Sequence, residues 1–168
     1  ILISNSLCGT NTLQWMTMNN VTATTASGTG QNGITVAVTH SAGGMSSNDG
    51  MYQSQDFPSQ YNVPTPGTPV IRNTLAGDFQ ACFSQPVVNP VVAFASIGNP
   101  STPVVVTVSQ PYSIVWSGTG TTWTSSTQFT GQEGDNIIRI DGTVSCVNFN
   151  YGTSETYATV AFGFENQN

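Results

Sequence analysis

The sequence predicts an all-β protein, a two-sheet antiparallel β-sandwich of jelly-roll type with about ten short strands and no substantial helix. Three observations lead there. Apolar residues recur at every second position in short runs, and no run carries the 3.6-residue stripe of a helix. Clusters of Gly, Pro, Ser and Asn punctuate the runs. The composition is rich in hydroxyl, amide and β-branched side chains: hydrophobic residues make up 38% and charged residues 6%, against about 25% charged in an average domain. Polarity of this uncharged kind goes with strand formation and with secreted or surface β-proteins.

The expected strands follow in order. The first three are "TLQWMTM" (12–18), "GITVAVTH" (33–40) and "GDFQACFS" (77–84). "NPVVAFAS" (89–96), "TPVVVTVS" (102–109) and "PYSIVWS" (111–117) continue the series. "TSSTQFTG" (124–131), "NIIRIDG" (136–142), "TVSCVNFNYG" (143–152) and "TYATVAFGFE" (156–165) complete it. Between them lie "SGTGQNG", "GNPSTP", "SGTGTT" and "GTSE", all turn formers. All 168 residues are read as one domain. Residues 41–76 are the exception, a long segment with four prolines, Met45, Met51, Tyr52, Phe57 and Tyr61. We expect it to be a loop whose aromatics cover one face or one end of the sandwich.

Charge narrows the function. The net charge is −6, there is no lysine, and Arg72 and Arg139 are the fixed cations. Nucleic-acid binding and polybasic membrane contact both need cations that are missing. No apolar run is long enough for a spanning helix, so no membrane insertion is expected. Without lysine, Lys–Asn isopeptide cross-links are excluded. The opening "ILISNSLCGTN" has neither an initiator Met nor a signal-peptide pattern, which suggests a processed product or a module of something longer. Asn20 begins the sequon "NVT".

Cys8, Cys82 and Cys146 are widely spaced, with no CxxC and one histidine in the chain, which argues against zinc. In "DFQACFSQ" the alternation of Phe79, Ala81 and Phe83 puts Cys82 on the opposite face. Cys146 likewise lies off the face of Val147, Phe149 and Tyr151. One disulfide and one unpaired thiol are expected, with the pairing left open.

Four of the ten charged residues crowd into "GQEGDNIIRIDG" (131–142): Glu133, Asp135, Arg139 and Asp141. The expected reading is a water-facing turn and the strand leaving it, with Ile138 and Ile140 on one face and Ile137, Arg139 and Asp141 on the other. Arg139 and Asp141 should then form a surface ion pair. The alternative is a structural calcium ion held by Glu133 and Asp135 with Asp78, Glu165 and Asn166, since calcium takes six to eight oxygens. "SNDGM" (47–51), with Asp49 and the nearby Asp56, reads as a turn. His40 has no G-x-S-x-G or comparable nucleophile context. No pair of acids is marked as buried or perturbed, so neither glycoside hydrolysis nor another enzymatic role is expected.

Trp15, Trp116, Trp123, Tyr112 and Tyr157 are candidates for a sugar-stacking platform. Trp116 falls in a strand and reads as core. Trp123, beside a loop, with Tyr52 and Tyr61 of the long segment, are the expected ligand-binding residues.

The segments "GDFQACFSQPVVNPVVAFASIGNP", "VSQPYSIVWSGTG", "FTGQEGDNIIRIDGTVSCVNFNY" and "YATVAFGFE" together resemble a module of secreted, cell-surface proteins of Bacteroidota. The likeness rests on "FSQPVVNPVVAFASIG" and "GQEG…IRIDGTVSCVNF" and covers roughly half of the chain. It implies an extracellular jelly-roll sandwich with an adhesive or structural role, and it supplies no ligand. Related modules often carry an acidic "DxD"-like tip after the strand matching "VVAFAS", where this chain reads "SIGNP".

The expected function is a non-enzymatic, extracellular adhesion or structural module. Its partners would be copies of itself, a larger surface protein, or glycans. A self-assembling filament subunit is the first alternative, with the apolar "ILI" start lent as an edge strand; a carbohydrate-binding module is the second.

Overall fold

The computed structural model describes residues 13–52 and 57–165. Cys8, the "ILI" start, Asp56 and Asn166 lie outside these residues. Nine of the ten predicted strands are present, several of them shorter than expected, whereas the run predicted at 12–18 divides into two short strands that join different sheets. In chain order the described strands begin with β1 (Gln14–Trp15), β2 (Thr17–Asn19), β3 (Thr25–Thr29), β4 (Thr35–His40) and β5 (Met45–Asp49). They continue with β6 (Pro69–Asn73), β7 (Gly77–Val88), β8 (Val91–Ile97), β9 (Val104–Val108) and β10 (Tyr112–Ser117). The last five are β11 (Thr121–Trp123), β12 (Gln128–Gly131), β13 (Gly134–Ile140), β14 (Thr143–Tyr151) and β15 (Ala158–Phe164).

Two antiparallel sheets pack face to face. One runs β10-β13-β8-β15-β6-β5, with β1 also on β15; the other runs β11-β12-β9-β14-β7-β4-β3-β2. From β7 onward the chain crosses between the sheets at nearly every turn, β11 and β12 alone forming a hairpin within one sheet. That is the jelly-roll pattern, and it follows from the alternation: each strand has one apolar face that needs the opposite sheet to cover it.

The inner core is aromatic. Phe79 of β7 stacks on Phe162 of β15 with centroids 6.0 Å apart, and Phe94 of β8 meets Phe129 at 5.3 Å and Phe149 at 5.6 Å. These rings come from both sheets and are fully buried, each contributing about 2–3 kcal/mol of burial.

The segment 41–76 differs from the expected loop. It contains β5 and β6, which pair with each other and extend the β15 edge of their sheet. Its remainder does cover a face, as expected. Met51, Phe57, Tyr61 and Val63 form a second core with Leu13 on the outer side of β8, β13 and β15, over Ala93, Ala95, Ile137 and Ala161. The alanines keep that face low enough for large rings to lie on it. Trp15 Nε1 donates to Tyr61 O at 2.8 Å, and Phe57 lies 4.8 Å from Trp116. Hence every residue of β8 and β15 is buried. Trp116 belongs to this outer core.

β3 lies partly within "SGTGQNG", which the sequence suggested was a turn. Gly28 is paired on both sides in that strand, at a position where a Cβ would meet Met18 Sδ at 2.6 Å. Close approach also fixes Gly131, where β12 passes under β8. A Cβ at Gly131 would meet the Ile97 carbonyl oxygen and, at 2.5 Å, Ile97 Cγ2. Gly131→Ala is therefore expected to destabilise the fold by about 1–3 kcal/mol, read as a lowered midpoint in urea unfolding. An unchanged midpoint would mean that β8 can shift without cost.

Candidate functional site

Three hollows gather the polar chemistry. The first lies between β10 and β11, the edge strands of the two sheets on the same side of the sandwich. Trp123 faces inward across the hairpin from Phe129, with centroids 5.5 Å apart, and lies 5.8 Å from Tyr112; its Nε1 donates to Ser117 Oγ at 3.0 Å. Between the two edges is a groove of about 330 Å³ with Trp123, Tyr112 and Ile114 as apolar walls and Ser113, Ser125 and Asp141 as polar ones. Ser113 Oγ donates to both oxygens of Asp141 at 2.9 and 3.0 Å, fixing the carboxylate. The Tyr112 hydroxyl donates to Ser125 O at 3.1 Å, and burial pushes its ionisation up to about 12, so it stays neutral. Such a groove offers an apolar platform beside a fixed acceptor.

The predicted pair is present: Arg139 Nε stands 3.8 Å from Asp141 Oδ1, a contact at the surface with Arg139 half-buried, worth about 0–1 kcal/mol. The split of "NIIRI" is also as expected. Ile138 and Ile140 point into the main core, and Ile137 points out into the second.

The second hollow, about 370 Å³, is lined by Tyr52, Ser96, Gly98, Glu133, Glu155 and Tyr157, among others. Ser96 adopts a left-handed conformation (φ 57°) at the end of β8, which turns its groups toward two acids. Its N–H donates to Asp135 Oδ1 at 2.8 Å and its hydroxyl to Glu133 Oε2 at 3.0 Å. Gly98 N–H donates to Glu155 Oε2 at 2.6 Å. Burial first, and then the charge of Glu133, push the Glu155 carboxyl up to about 8, although the Gly98 N–H works against them. Glu155 holds its proton at neutral pH. Tyr52 and Tyr157 stand beside it, 4.7 Å apart, with the Arg72 guanidinium 4.4 Å over the Tyr157 ring.

This corrects the expectation of a water-facing turn at 131–142. Asp135 is 2% exposed, because its carboxylate serves the Ser96 amide inside the fold.

The third hollow holds His40 and Asp78. Ala42 N–H donates to His40 Nδ1 at 3.1 Å, so the other nitrogen carries the proton and donates to Leu75 O, also at 3.1 Å. Burial lowers the pKa of the ring, against the Leu75 carbonyl and Asp78, which raise it. His40 is a satisfied core residue. The amides of Asn150 and Asn148 donate to Asp78 at 2.8 and 3.1 Å and hold its carboxyl below the usual range.

The proposed calcium donors are thus dispersed. Asp78 lines the third hollow, whereas Glu133 and Asp135 flank the second. Glu165 follows the far end of β15: Gly134 pairs with Ile97, but Gly163 pairs with Val91 at the other end of β8. Among the described residues, no group of three or more His, Cys, Asp or Glu is gathered as a metal site.

The three aromatic candidates also part company. Trp123 walls the groove, Tyr52 borders the acidic hollow, and Tyr61 is 7% exposed beneath the outer cover. Tyr61 is therefore a packing residue, since its carbonyl and ring tie the cover to the sheet. Cys82 and Cys146 form a disulfide between paired positions of β7 and β14. Sequence reasoning missed Glu155, which sat unremarked in the turn signature "GTSE". It passed over Ser96 for the same reason, since nothing near it in the chain is charged.

Comparison with protein-family models, curated proteins and solved structures finds no match for the chain.

Proposed function

We propose that the protein is an extracellular, non-enzymatic adhesion module that holds a carbohydrate in the groove between β10 and β11. The observation that carries this reading is one groove lined by the Trp123 ring, Tyr112 and Ile114 together with the Ser113–Asp141 pair. Sugars have an apolar C–H face and a rim of hydroxyls, so they suit an aromatic wall beside fixed hydrogen-bonding groups. The disulfide supports an extracellular setting, because such bonds persist in oxidising compartments. Among the described residues Asp141 is the one acid lining the groove, whereas glycoside hydrolysis uses two.

Binding to a panel of immobilised oligosaccharides tests the reading. Trp123→Ala is expected to weaken binding roughly tenfold, and Tyr52→Ala, in the separate acidic hollow, to leave it unchanged. Equal binding by Trp123→Ala would move the site elsewhere. Hydrolysis of the bound sugar would end the non-enzymatic reading.

Among the described residues β10 and β11 end their sheets, which favours a second reading, a subunit that joins copies of itself by strand pairing. Negative-stain microscopy with and without reductant separates the two: ordered fibres support assembly, and separate particles under both conditions end it.

A further inference from the structure

We infer that the groove selects uncharged glycans and rejects those bearing carboxylate or sulfate, with Asp141 as the discriminating residue; this rests on the carbohydrate reading above. A sugar acid needs a cation or a set of free donors to offset its desolvation. The sequence holds two fixed cations and one histidine, and the structure accounts for all three. Arg139 stands behind Asp141 at 3.8 Å, with its Nε buried, and is not among the residues lining the groove. Arg72 lies over Tyr157 at 4.4 Å and donates to Thr156 O at 3.2 Å, in the other hollow. His40 is buried, with both ring nitrogens engaged.

What the groove does offer is an acceptor. A carboxylate accepts and never donates, so Asp141 can take hydroxyl protons from a sugar but meets a sugar acid as a like charge. Ser113 holds both of its oxygens in place, yet the Asp141 side chain remains 44% exposed, which leaves lone pairs free for a ligand. The protein's net charge of −6 adds a repulsive field of the same sign. Like charges brought together at a binding site cost specificity for the wrong partner, and at low salt the effect is largest.

The test uses matched pairs: cello-, manno- and galacto-oligosaccharides and their C6-oxidised counterparts, which differ only in carrying a carboxylate in place of the primary alcohol. Wild-type protein should bind the neutral member of at least one pair, and the oxidised member roughly tenfold more weakly at low salt. Asp141→Asn should narrow that gap to about threefold or less, as should raised salt. Ser113→Ala, which leaves the charge in place, should preserve the gap and serves if Asp141→Asn does not fold. Equal binding of both members by wild type, or a gap unchanged in Asp141→Asn, overturns the inference while a Trp123-dependent carbohydrate site stands. Binding of none of the six probes, or binding indifferent to Trp123→Ala, removes the carbohydrate reading and the inference with it.

Discussion

Removing the Cys82–Cys146 bridge is expected to lower the stability of the fold by about 4 kcal/mol, and the melting temperature by on the order of 10 °C. The bond joins residues 64 apart in sequence. Breaking it frees the unfolded chain to explore many more conformations, and the loop-closure relation for a ring of that size gives the stated figure. The folded state loses little. Cys82 and Cys146 lie on the outer face of their sheet, away from the main core, and β7 and β14 remain paired along most of their length. No cavity opens. The double substitution Cys82→Ala/Cys146→Ala and chemical reduction should therefore shift the thermal melt by similar amounts. A melt unmoved by either would show that the loop it closes is already restricted in the unfolded state.

Glu155→Gln should abolish a fall in stability that the wild-type protein shows between pH 6.5 and about 8. The carboxyl is raised from 4.5 to about 8 by burial and by Glu133. The folded chain keeps a proton that the unfolded chain gives up, so stability declines as pH rises from the unfolded to the folded value. His40 acts in the opposite sense. Its pKa is lowered from 6.5, so its contribution is complete above that pH and is lost as the pH falls. The two effects oppose each other below 6.5, and Glu155 acts without it above. The full shift, spread over the window from 4.5 to about 8, corresponds to about 5 kcal/mol; only about 1.5 kcal/mol of it falls between pH 6.5 and 8, and water reaching the open side of the hollow should reduce that loss to about 1 kcal/mol. Glutamine keeps an oxygen for the Gly98 N–H and removes the ionisation. Melting temperatures across pH 6.5–8.5 should thus slope downward for wild type and lie flat for Glu155→Gln. Parallel slopes would assign the pH dependence to another group.

Both results concern contacts with very different visibility in the sequence. Cys82 and Cys146 were visibly off the apolar faces of their strands, because alternation is a local property. Their pairing was not visible, since it depends on β7 and β14 lying side by side in one register. Glu155 bonds to Gly98 across 57 positions, and Asp135 to Ser96 across 39. No pattern within a strand or turn announces such a contact. Asp135 therefore looked like a surface charge in a glycine-flanked turn and proved to be an internal acceptor.

The segment 41–76 shows the same boundary. "MSSND" has one apolar residue, and "PVIRN" opens on proline without strict alternation. β5 and β6 become strands because each completes the other at the sheet edge and β15 receives β6. Tyr61 lies in a covering segment, as expected, and is buried there rather than open to a ligand. Covering a face of alanines is what buries it.

The sequence by itself determined the all-β class, the two-faced strands and a protein nearly without cations, because these follow from residue type and a period of two. The tertiary structure alone decided which cysteines pair, which acid is buried and that Trp123 and Asp141 line one groove. Each of those depends on the distance between side chains that the chain brings together from far apart, and distance in space is not a property of neighbours in sequence.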